Sequence, residues 1–139
     1  MSPANSRPMR PIIVRSALLI MAISSSFYCN TKTKSTPLKG KLIVSAVCGN
    51  YVIQVLEGRM DSDRLVSNWE NVATGYSYTN VFTVSNYCAF ASSGLSEGDV
   101  FEFEQDPYPP ALNCSRCEIF VPTPSVQTAI KNIKKLEKN

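Results

Sequence analysis

Five cysteines, at positions 29, 48, 88, 114 and 117, constrain this 139-residue chain more than any other feature. In an exported protein an odd number of thiols leaves one to be accounted for, so the first question is whether the chain is exported. Arg7, Arg10 and Arg15 precede the apolar run Ala17–Ile23, and Ser24, Ser25 and Ser26 follow it. A charged region, a hydrophobic region and small residues in that order predict an export signal over 1–28. The apolar run is far shorter than the roughly 20 residues a membrane-spanning helix needs.

Cys29 stands just past this segment and is expected to be a lipid attachment point, giving the chain a membrane as its first partner. Tyr28 departs from the small residue that lipoprotein cleavage favours; ordinary cleavage after Ser24 or Ser26 would leave Cys29 a spare thiol. Residues 29–38 are polar and without periodicity, as in a flexible tether. The remaining residues, 39–139, suffice for one disulfide-stabilised domain.

With Cys29 set aside, Cys48, Cys88, Cys114 and Cys117 form an even set for two disulfides, in any of three connectivities. Cys114 and Cys117 form a C-x-x-C. A redox role would need it at a helix N-terminus, whereas Glu118–Pro122 reads as a strand ended by proline. A four-cysteine zinc site would need a second close pair, and the chain has no histidine. Structural crosslinks are the expectation, and no metal or cofactor is expected.

Residues 41–57 form two apolar runs split by Gly49-Asn50, a hairpin signal. A third run covers 79–87. A fourth alternates Phe101 and Phe103 with Glu102 and Glu104, placing rings on one face and carboxylates on the other. Cys117–Val121 is read as the fifth. Leu65, Val66 and Trp69 suggest a short helix over 62–70. Ser125 with Val126, Ile130, Ile133 and Leu136 suggests an amphipathic C-terminal helix. The expected fold is therefore mainly β: a small five-stranded OB-like barrel, closed or half-closed, with one short and one C-terminal helix. In that topology the expected pairing is Cys48 with Cys88 and Cys114 with Cys117.

Charge is segregated. Residues 40–124 hold four basic and ten acidic side chains, whereas the tail from Ser125 holds four lysines and one glutamate. An acidic body argues against nucleic acid as a partner. The absence of histidine removes the usual Ser-His-acid and Cys-His nucleophiles. Asp61-Ser62-Asp63 lacks the third acid and the glycine of a calcium loop. Recognition is expected instead from aromatics, namely Trp69, Tyr76, Tyr78 and, in the proline-rich stretch "DPYPPALN", Tyr108. The alternative for Trp69 is burial as a plug.

The segments "SAVCGNYVIQVL", "YTNVFTVSNYCAF", "LSEGDVFEF" and "CSRCEIFVPTP" resemble those of small exported proteins and lipoproteins of Bacteroidetes-type bacteria. The resemblance implies a cell-envelope location and brings no catalytic residue with it; the expected location is periplasmic or outer-membrane-anchored, alternatively secreted. The expected function is non-enzymatic: a binding or structural module for an unknown protein or carbohydrate. The alternative is a thiol–disulfide protein using Cys114 and Cys117.

Overall fold

The computed structural model describes residues 36–115, 117 and 119–137, which belong to the unit Lys34–Asn139. The expected export signal, Cys29 and most of the tether lie outside the described residues. The strands are β1 (Leu38–Ala46), β2 (Asn50–Glu57), β3 (Val66–Asn71), β4 (Tyr76–Val84), β5 (Val100–Gln105), β6 (Gln127–Thr128) and β7 (Ile130–Lys135). A single α-helix, α1 (Tyr87–Ala91), follows β4 among the described residues. All seven strands join one sheet in the order β3-β4-β2-β1-β5-β7, with β6 on β4. The ladders are antiparallel except β4–β6, which is parallel.

The chain is thus mainly β, as its patterning predicts, but four expectations are corrected. Seven strands replace five, and the order ends at β3 and β7 without those two pairing, so the sheet is not closed into a barrel. The strand expected over Cys117–Val121 is absent among the described residues, since Cys117 and Ile119–Val121 lie in the connection between β5 and β6. The helix expected over 62–70 is a 3-10 turn at Ser62–Arg64 followed by β3. The C-terminal helix is β6 and β7.

Both helix errors come from apolar residues spaced three apart on one side of a strand. Leu65 packs on one side of the sheet, whereas Val66 and Trp69 pack on the other. Adjacent strand residues face opposite ways, and in a helix these three would share a face. In β7, Ile130 and Ile133 both pack inward although three residues apart. Asn132 lies between them with φ 53°, and the β5–β7 register shifts at that point. Such a bulge turns a period of two locally into three, which on paper imitates a helix.

The inner core is built on alternation. Leu38, Leu42, Ile53, Phe82, Phe101 and Phe103 are buried on one face. Phe103 lies 5.9 Å from Phe82 and 5.7 Å from Phe101 between ring centroids. Phe90 of α1 continues the series, 6.2 Å from Phe101 and 4.7 Å from Tyr51. These tilted rings have the offset geometry that aromatic quadrupoles favour. A Cβ on Gly40 would come within 2.9 Å of both Ile53 and Phe103, so only glycine lets β1 approach them. Glu102 and Glu104 face away from the rings, as expected, and stand opposite Lys134 and Lys131 of β7. The basic tail therefore lies along an acidic strand, and Lys135 adds an ion pair to Asp99 at 2.6 Å.

A second apolar cluster occupies the opposite face. Val44, Val52 and Val81 are buried there beneath Ile43, Val66, Trp69 and Tyr78.

Candidate functional site

The connection Asp106–Val126 carries the features that the fold itself does not explain. It is longer than the roughly 12–15 residues beyond which structureless loops become uncommon and are often functional. Its ends are pinned: the Asp106 N–H donates to Ala129 O at 2.9 Å, and the Thr83 hydroxyl donates to Pro124 O at 2.8 Å. Between 109 and 123, two disulfides tie the connection to the rest of the protein.

Those bridges are Cys48–Cys117 and Cys88–Cys114, with Cα–Cα distances of 5.3 and 5.7 Å. The expected pairing of Cys48 with Cys88 and of Cys114 with Cys117 is therefore corrected. It assumed that Cys117 opened a strand. Because the strand lies further on, the C-x-x-C instead belongs to a loop that passes over the β1–β2 hairpin tip and α1. One cysteine bonds to each, so the two are not a vicinal dithiol pair. Cys48, Cys88 and Cys114 border one small cavity of about 230 Å³.

The hairpin tip is shaped to receive the first bridge. The turn is Val47–Gly49, one residue before the expected Gly49-Asn50, and Cys48 and Gly49 have φ of 67° and 74°. Asn50 is buried and donates its Nδ2 to Val47 O at 2.9 Å, which holds the turn. A Cβ at Gly49 would lie 2.4 Å from the Tyr87 ring, so the tip is seated on α1 through glycine.

Eight large apolar side chains are exposed among the described residues. Tyr108, Leu112, Ile119 and Phe120 lie on this connection and Val47 on the tip bonded to it. Tyr108 and Phe120 are 90% and 89% exposed. Exposed apolar groups gathered on one segment mark interaction surfaces more often than scattered ones do.

Beneath the first limb of the loop runs a cleft of about 380 Å³ between α1 and β7. Phe90, Pro110, Ile130 and Ile133 give it apolar walls; Ser92, Ser93, Asp106, Lys131 and Asn132 supply polar groups. The Asp106 carboxylate is largely buried and faces Lys131 Nζ at 3.6 Å. Asn86 shapes the wall: its Nδ2 donates to Ile130 O at 2.7 Å and its Oδ1 accepts from the Ile130 N–H at 3.0 Å. This side chain pairs with the strand as a neighbouring strand would.

Of the residues expected to bind, Trp69 and Tyr78 are cross-strand partners, stacked at 6.2 Å and half-buried over the Val44–Val52–Val81 cluster. Their packing gives them a structural task. Tyr76 is exposed on the same hairpin, and Tyr108 belongs to the separate loop surface. Ile119 and Phe120 were hidden from sequence reasoning by their strand-like texture. The prolines at 122 and 124 were the available signal, since proline is largely excluded from strand interiors.

Two disulfides argue for an oxidising, non-cytoplasmic compartment. No helix among the described residues is long and apolar enough to cross a membrane. Comparison with protein-family models, with curated proteins and with solved structures finds no match.

Proposed function

We propose that this chain is a non-catalytic binding module of the cell envelope, anchored through a lipid on Cys29, whose working face is the disulfide-fixed connection Asp106–Val126. The observation that carries this reading is the concentration of exposed Tyr108, Leu112, Ile119 and Phe120 on a segment attached by sulfur bridges. Holding a loop rigid lowers the entropy lost when a partner binds it. The charge and hydropathy pattern from which an export signal is expected over 1–28, and the resemblance to Bacteroidetes-type exported lipoproteins, support the envelope location.

The fold reading that goes with it is a half-closed OB-like barrel. Its support is residues 127–135, which pair with β4 through β6 and then with β5 through β7, with Ala129 alone between. Read as one strand, this segment lies between β4 and β5 and gives the order β1-β2-β4-β6/β7-β5, without a continuous ladder to close it. In that frame the β1–β2 tip and the β5–β6 connection are the two loops with which OB-type domains contact ligands, an argument by analogy of fold. Here Cys48–Cys117 joins them.

Site-specific photocrosslinking in intact cells tests the reading. A crosslinker at Phe120 or Tyr108 is expected to trap a discrete partner, and one at Ser77, exposed on the β3–β4 hairpin, is not. Equal trapping at both places, or none at the loop, would overturn it.

A further inference from the structure

We infer that the cleft between α1 and β7 is a saccharide-binding site; this rests on reading the disulfide-fixed connection as the working face and names a ligand class for it. The argument begins with the gap between Asp106 and Lys131. At 3.6 Å their charged atoms are too far apart for a good hydrogen bond. The carboxylate's Oδ1 accepts weakly from the Tyr108 N–H at 3.3 Å. A hydroxyl both donates and accepts, so one sugar hydroxyl can donate to Asp106 while accepting from Lys131. Ser92, Ser93 and Asn132 offer further donors and acceptors on the same walls.

Charge and shape argue against three other ligand classes. The carboxylate offsets the ammonium, so the cleft offers no net cation to hold a phosphate or carboxylate ligand. An extended peptide would need the free edge of β7, and that edge is guarded three ways: Asn86 occupies the Ile130 backbone, Asn132 breaks the strand with φ 53°, and Lys131, Lys134 and Lys135 line it. Bulges and lysines are established means of blocking strand addition. A purely apolar ligand would strand the polar groups of the rim.

The ligand that fits is neutral and polyhydroxylated, with one apolar face to set against Pro110 and Ile133. The volume of about 380 Å³ lies in the range of small-molecule sites. A second cavity of about 230 Å³ shares Asn86, Ala89, Ser92 and Pro110 and extends the cleft along the loop, room for a second ring. The cleft therefore suits a disaccharide better than a single sugar.

The test is NMR titration of the oxidised protein with glucose, galactose, N-acetylglucosamine and their β-linked disaccharides, with glycerol and glucose 6-phosphate as controls. At least one disaccharide is expected to give saturable shifts confined to the amides of Ser92, Ser93, Asp106, Lys131, Asn132 and their neighbours. Asp106→Asn, which keeps the size and the turn, is expected to weaken binding at least tenfold. The inference is overturned if no sugar gives saturable shifts, if shifts fall elsewhere, if glycerol reproduces them, if the phosphate is required, or if Asp106→Asn binds as well. Crosslinking at Phe120 that persists while every sugar fails would sink this inference alone and leave the binding-module reading standing.

Discussion

Asn80 and Asn132 do the same work in different strands. Each follows one polar residue and precedes an apolar one, in Tyr78-Thr79-Asn80-Val81 and Ile130-Lys131-Asn132-Ile133, and each has positive φ. In both strands the apolar residues flanking the pair, three apart, pack on one cluster. Asparagine is among the few residues that adopt the left-handed region readily; for most others it costs roughly 1–2 kcal/mol. Asn80→Val is therefore expected to lower stability by about 1–2 kcal/mol in urea unfolding, and Asn80→Gly to change it little. Equal losses would mean that the side chain matters and the backbone geometry does not.

At the scale of elements, the sheet and the long connection are held by different forces. The strands have ladders and buried rings, whereas 109–123 has two sulfur bridges with sequence separations of 69 and 26. Chain-entropy estimates give roughly 3–4.5 kcal/mol for each closure. The variant Cys88→Ala/Cys114→Ala, which keeps the other bridge, is expected to lose roughly 3 kcal/mol of stability in urea unfolding. Full reduction by a dithiol is expected to expose the connection to limited proteolysis while the far-UV signature of the sheet persists. A protease-resistant loop in the reduced protein would show that packing, not sulfur, holds it.

For the whole molecule, one sheet serves two apolar clusters, and breaks in alternation distribute residues between them. Leu42 belongs to the inner core and Val44 to the outer cluster, although regular alternation would put both on one face; the β1–β2 register shifts between them. The acidic body and basic tail, which look like separate regions of the chain, meet across β5 and β7, where Lys134 and Lys131 stand opposite Glu102 and Glu104 and Lys135 pairs with Asp99. Anchorage belongs to this scale too. Fatty-acid labelling of wild type and Cys29→Ala in cells is expected to show label on the wild type only; equal labelling would end the lipoprotein reading.

The sequence by itself determined the elements whose signal is local. Alternating Phe101 and Phe103, the paired runs on either side of Gly49, and a cysteine set suited to two bridges all depend on neighbours within a few residues. Only the tertiary structure decided the rest. Whether Ile130, Ile133 and Leu136 line a helix or a bulged strand depends on β5 lying alongside with acids opposite the lysines, a contact the local pattern does not contain. Which cysteines meet depends on where a long loop crosses the fold, and chain entropy alone favours no such path. The cleft likewise unites Ser92, Asp106 and Lys131 from three separate segments, and spacing along the chain carries no trace of that meeting.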